Sequence, residues 1–239
     1  MAWLSTEFYF YKASAPCRAV WMTIKHLKVE VDEKEVDLLK AETKRPWFLR
    51  MNPFHCLPTI RDCKYVIWES RAIMQYLCNK YCTPENQHLY PTEPEQRGTV
   101  DRLLFFDMGT LTYAIKEYFR PKQFEGLPPD AEKENLLKQS LDYLDGVLET
   151  VEGGYLTGDK LTIADLAVLA SLTELDAMGY AYKCYGNVTR WSNKLREQLP
   201  YYKDCCLQGI EMTKARIKQV EEDLKIQAEK ERKASSGKK

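Results

Sequence analysis

Residues 83 to 94, Thr-Pro-Glu-Asn-Gln-His-Leu-Tyr-Pro-Thr-Glu-Pro, hold three prolines and no helical period. Proline lacks a backbone donor and keeps the residue before it out of the helical region, so this stretch reads as a linker. The hydrophobic pattern differs on its two sides. Before it, short strand-like and helix-like segments alternate; after it, every apolar pattern is helical. That order predicts domains at 1–82 (α/β) and 95–212 (all-helical), joined by 83–94, with a charged extension at 213–239.

In the first domain, Phe8-Tyr9-Phe10-Tyr11 is an aromatic run of strand type, stopped by Ala13-Ser14-Ala15-Pro16. Val20, Ile24 and Leu27 recur at i, i+4, i+7 and predict a helix. A second strand is expected within Val29 to Leu39, and a short helix over Arg45 to Met51, closed by Asn52-Pro53. Pro58 to Arg61 and Tyr65 to Trp68 read as two strands around a turn, and Ile73, Tyr76 and Leu77 mark a helix from Glu69 or Ser70 to about Tyr81. The order is β-α-β-α-β-β-α.

In the second domain, Leu103, Phe106, Leu111 and Ile115 predict one helix from about Glu95 to Tyr118. Leu136 to Leu148 predict another, ended by Gly153-Gly154. A third opens at Leu161-Thr162 and is apolar nearly all round through Leu175, the mark of a buried helix. Trp191–Leu195 and Tyr201–Leu207 suggest shorter helices. Ile217, Val220 and Leu224 keep helical spacing in the charged tail, read as a solvated helix, and 230–239 reads as disordered.

Composition limits the classes of function. With 35 basic and 35 acidic residues, no net field favours nucleic acid or an acidic membrane. No apolar run reaches membrane-spanning length, and MAWLSTEFYFYK turns polar too soon for a signal peptide. The eight cysteines are scattered without a C-x-x-C pair, and only three histidines are present. That argues for reduced thiols in the cytoplasm and against a structural metal site.

Three segments can carry chemistry. Ser14-Ala15-Pro16-Cys17 opens the first helix, where unpaired N–H groups and the helix dipole favour an anion such as a thiolate. Ser14 fits equally well as an N-cap. In Asn52 to Ile60, a cis Pro58 would turn the backbone of Leu57 outward to pair with an extended peptide, and His55 could donate to a carboxylate. The alternative is a turn proline beside a solvent-facing histidine. Trp68-Glu69-Ser70-Arg71 starts the last helix of the domain. Ser70 and the free N–H groups suit a carboxylate, Glu69 an ammonium and Arg71 a second anionic contact. The alternative is a capped helix with a flanking ion pair. Taken together, the three ask for a short peptide with an amino-acid head and a thiol, a description that glutathione meets.

Ser14-Ala15-Pro16-Cys17-Arg18, Asn52-Pro53-x-His55-x-x-Pro58-Thr59 and Trp68-Glu69-Ser70-Arg71-Ala72-Ile73-x-x-Tyr76-Leu77 resemble cytosolic glutathione transferases, nearest to the insect delta and epsilon classes. Arg102-Leu103-x-Phe105-Phe106-Asp107-Met108-Gly109-Thr110-Leu111 and Gly158-Asp159-x-Leu161-Thr162-Ile163-Ala164-Asp165 extend the similarity to about residue 210. The last holds Thr-x-x-Asp, a structural capping box. The resemblance implies a thioredoxin-like domain, an all-α domain and a homodimer. It makes Ser14 the catalytic residue, and His55, Leu57, Glu69, Ser70 and Arg71 the glutathione contacts. Departures are Ala13 for the usual glycine, Thr43 for a second histidine, Phe54 for a polar residue, and the longer tail.

The expected reaction is attack of the glutathione thiolate on a small apolar electrophile, in the manner of a detoxification enzyme, with glutathione as co-substrate and no metal. Phe106, Thr110, Tyr113, Tyr118, Phe119 and Leu207 are the expected electrophile contacts, although each suits the core as well. Two other readings stay open. Cys17 could exchange disulfides, or the domain could be a glutathione-binding carrier or assembly module without activity.

Overall fold

The structure is a computed structural model that describes residues 6–124, 127–128 and 131–236. Strand β1 (Thr6–Phe10) divides its aromatic side chains between two faces, as a period of two requires. Phe8 and Phe10 stack with centroids 4.8 Å apart, and Phe10 meets Trp21 at 4.8 Å. They belong to the core under helices α1 (Ala15–Leu27) and α3 (Ser70–Tyr81). Tyr9 faces the other way. Its ring meets Phe48 of α2 (Pro46–Met51) edge-on at 6.0 Å, and Val36 completes this second cluster.

Strands β2 (Val31–Glu35), β3 (Thr59–Asp62) and β4 (Tyr65–Trp68) complete a sheet of order β2-β1-β3-β4. The β1–β2 pair is parallel and needs a crossover, which α1 supplies; the other pairs are antiparallel. The predicted strands and helices of this domain are all present.

Register decides where the motifs gather. Tyr9 pairs with Thr59, and Thr59 pairs with Trp68. The exit of β1, the entry of β3 and the exit of β4 therefore share one end of the sheet. From that end the chain leads through Ser14 into α1, through a cis Leu57–Pro58 bond into β3, and through Glu69 into α3.

The linker is packed: Leu89 is fully buried and Tyr90 nearly so. The helical domain contains α4 (Pro94–Phe106), α5 (Thr112–Phe124), α6 (Ala131–Thr150), α7 (Ile163–Met178), α8 (Gly186–Gln198) and α9 (Gln208–Ser236). Helix α7 is buried nearly all round, as its sequence predicts, and joins α1 in one core spanning both domains. Its capping box is formed: Asp165 accepts from the Thr162 N–H at 2.8 Å, and also from Leu156 N–H at 2.8 Å and Trp191 Nε1 at 3.0 Å.

Three expectations need correction. The single helix expected from Glu95 to Tyr118 is two helices joined by a wide π turn, Asp107–Leu111, in which the Thr112 N–H reaches the Asp107 carbonyl. No break marks the boundary expected at 213, because α9 runs unbroken across it. Disorder expected over 230–239 gives way to helix through Ser236; residues 237–239 lie outside the described residues. Helix α9 also sits hard on the β1–α1 loop at Gly209, where an added Cβ would stand 2.0 Å from the Lys12 carbonyl oxygen.

Candidate functional site

A cleft of about 450 Å³ opens where the start of α1, the loop at Leu38 and Leu39, and helices α5, α7 and α9 meet. Ser14 and Leu57 both line it. Ser14 holds the N-cap place of α1 with extended backbone, yet its hydroxyl caps no backbone N–H. The hydroxyl is thus not consumed by helix capping, the competing role that its position allowed.

Leu57 is presented by a rigid loop. Asn52, fully buried, donates through Nδ2 to Thr59 Oγ1 at 2.9 Å and to the Cys56 carbonyl at 3.2 Å. In sequence Asn52 reads only as a helix stop, because its partners in this loop leave no pattern. His55 is exposed, sits at φ +44, and is not among the cleft-lining residues. Phe54 is exposed and leans on Trp68, with centroids 6.2 Å apart. Thr43 is buried in a 3-10 turn, so it presents nothing to the cleft.

Glu69 caps α3 with φ +70, a left-handed conformation that costs a non-glycine residue about 1–3 kcal/mol. Ser70 is buried and accepts from Arg71 Nη1 at 2.7 Å. Arg71 pairs with Asp107, which is fully buried and accepts from Ser171 Oγ at 2.7 Å; Ser171 and Thr112 meet at 3.1 Å. Since Thr112 and Ser171 line the cleft, the Glu69-Ser70-Arg71 segment is wired to its helical wall through Asp107. The π turn sets Asp107 where it closes this network.

Burial pushes the Cys17 thiol up to about 11, against the Ser14 hydroxyl and the Tyr11 N–H, which favour its thiolate. A fully buried, protonated sulfur is the wrong group for thiol–disulfide exchange, and the reading built on Cys17 falls.

None of the expected electrophile contacts lines the cleft at Ser14. Phe106, Thr110 and Tyr113 line a different cleft, against α6, with Leu136 and Tyr143. Tyr118 and Phe119 pack on Tyr180, and Leu207 borders a polar depression near Trp21 and Glu33. The helical wall of the Ser14 cleft comes instead from Thr112, Ile115, Lys116 and Gln123, from Ser171 and Glu174, and from Met212, Thr213, Arg216 and Ile217. Among the described residues no cluster could hold a metal ion, and no helix is long and apolar enough to cross a membrane.

A thioredoxin-like sheet leads into a helical domain, and a cleft opens at the serine end of the first helix. Residues 7–79 match the model of the glutathione S-transferase N-terminal domain, and 111–199 that of the C-terminal domain. A delta-class glutathione transferase of Nilaparvata lugens is similar at 35% identity and TM-score 0.85, over 90% of this chain and 99% of its own. An epsilon-class glutathione S-transferase of the housefly, Musca domestica, is similar at 29% identity and TM-score 0.81, over 90% and 98%. A glutathione transferase homolog of Drosophila mojavensis, solved with bound glutathione, is similar at 29% identity and TM-score 0.77, over 90% and 97%. The chain belongs to the glutathione transferase family.

Proposed function

We propose that this protein conjugates glutathione, as its thiolate, to small apolar electrophiles, with Ser14 stabilising the anion. The observation that carries the reading is the Ser14 hydroxyl, free of capping duty, on the wall of an apolar cleft at a helix N-terminus. A hydroxyl donor and a helix dipole aimed at a sulfur both favour its charged form. The thiol proton leaves to solvent. The sulfur then forms a bond to the electrophilic carbon, and the leaving group, a halide for example, departs with its electron pair.

The rest of the tripeptide is anchored by the motifs at the same end of the sheet. Leu57 offers its backbone to the cysteinyl unit, Glu69 takes the ammonium and Ser70 the carboxylate of the γ-glutamyl head. Arg71, tied to Ser70 and Asp107, holds that corner rigid. His55 serves from the rim. The electrophile lies against Leu38, Ile115, Met212 and Ile217, walls that suit an apolar body, and cytoplasmic detoxification is the role proposed with it.

A homodimer is part of the proposal. Phe54, Tyr65, Phe105, Met108 and Tyr113 are large apolar side chains left 43–69% exposed, available to a partner subunit. Sedimentation gives the mass.

The decisive test of the reaction is an ultraviolet titration of the glutathione complex. A thiolate signal is expected near neutral pH, well below the ordinary thiol range of about 8.5. A bound thiol that stays protonated at neutrality overturns the reading.

A further inference from the structure

Two cations line the apolar cleft from different helices. Lys116 stands on α5 and Arg216 on α9, and neither has an ion-pair partner among the described residues. Among the described residues the one carboxylate lining the cleft, Glu174, is taken by Arg18 at 2.7 Å, and that guanidinium is fully buried. The acids of the neighbouring strand and loop are likewise engaged, Glu35 by Lys12 at 3.0 Å and Asp37 by Lys40 at 3.1 Å. The whole chain has no formal net charge, so this surplus is local to the cleft.

The remaining walls are Leu38, Leu39, Ile115, Met212 and Ile217 with a few neutral polar groups. Both cations are exposed at the mouth of the cleft, so their pull on an anion acts through solvent and weakens with salt, while the apolar walls behind them take the rest of the guest. A wholly apolar guest gains nothing from such charges. Arg216 comes from α9, so the charged tail supplies part of the cleft.

We propose that the preferred electrophile carries a carboxylate or sulfonate, held between Lys116 and Arg216 while its apolar body packs on Ile115, Met212 and Ile217. This deepens the reading of the cleft as the electrophile site and rests on it. Chemistry at the sulfur is the same: the S–C bond forms and the leaving group takes its electron pair, while the remote anion only orients the guest.

The same cations would also favour the glutathione thiolate or a glutathione carboxylate, and the substrate's charge separates these effects. Chlorodinitrobenzene is neutral; chlorodinitrobenzoate carries a carboxylate and the same leaving group. In the double variant Lys116→Gln, Arg216→Gln, the ratio of kcat/KM for the benzoate to that for the neutral compound should fall by about tenfold, and in the wild type the ratio should shrink as salt rises. An equal loss on both substrates, a rise confined to the KM of glutathione, or no change overturns the inference.

A binding arm needs no catalysis. The Kd of fluorescent anilinonaphthalenesulfonate should rise about tenfold in the double variant, that of neutral phenylnaphthylamine less than about twofold. If the protein conjugates neither chlorodinitro compound, the proposed reaction fails, and the dye pair still decides whether the cleft selects anions.

Discussion

Arg18 Nη2 lies 2.7 Å from Glu174 Oε1, and the guanidinium behind it is completely buried at the junction of α1 and α7. The same side chain donates from Nε to Thr173 Oγ1 at 3.0 Å and from Nη1 to the Lys12 carbonyl at 3.0 Å. One residue thus fixes the entrance loop of Ser14, the buried helix of the second domain and the charge state of the cleft wall. Removing one member of such a pair strands the other. Arg18→Leu should cost about 3–5 kcal/mol in denaturant unfolding. Glu174→Gln keeps an acceptor for Arg18 but removes the counter-charge of a buried guanidinium, and should cost about 1.5–3 kcal/mol.

The contact of Gly209 with the Lys12 carbonyl bears on the same corner. A Cβ at 209 would meet that backbone oxygen at 2.0 Å and Arg18 Nη1 at 3.0 Å, and a backbone oxygen has little room to yield. Gly209→Ala should lift α9 from its seat at a cost of about 1–3 kcal/mol. Met212, Thr213, Arg216 and Ile217 would move with it. The KM for the electrophile should therefore rise more than the KM for glutathione.

The parts of this fold that sequence pattern reached are the local ones. The aromatic run of β1, the i, i+4, i+7 face of α1 and the capping box at Thr162 each act over a few residues. All three emerged, although the strand spans Thr6–Phe10 and stops before Tyr11. The helical wall of the Ser14 cleft did not emerge, because the Asp107–Leu111 π turn admits an extra residue and rotates the face that α5 presents. Extending the apolar period of α4 through it selects Thr110 and Tyr113, which face α6, in place of Thr112 and Lys116. The bond from Ser171 to Asp107 joins residues 64 apart and leaves no local trace. Ser14 marks another limit: an N-cap and a thiolate donor call for the same residue at the same place, and the geometry of its hydroxyl removes only the cap.

Asp165 tests the framework apart from the site. It is fully buried and receives two backbone N–H groups, the Trp191 indole and the Thr162 hydroxyl. Burial raises its carboxyl above the ordinary aspartate value, against those donors. Asp165→Ala would leave them without an acceptor in the core. The expected loss is about 3 kcal/mol or more, read as a lower denaturant midpoint.

Ser14 and Cys17 lie one helical turn apart with opposite prospects. Ser14→Ala removes the donor proposed for the glutathione sulfur, so kcat/KM should fall by about 100-fold. The surviving activity should climb toward higher pH, because a less stabilised thiolate forms at a higher pKa. Cys17 differs because its own thiol, already pushed up to about 11 by burial, stays protonated throughout that range. Alkylation near neutral pH should therefore label the exposed Cys63 and Cys184 well before Cys17. A raised folded pKa for an acid stabilises the fold below the unfolded thiol value and is lost above it. Stability should accordingly decline as pH rises from the ordinary thiol range toward 11, and Cys17→Ala should blunt that decline. Rapid neutral alkylation of Cys17 would show a sulfur reachable for chemistry and reopen its claim to the reaction.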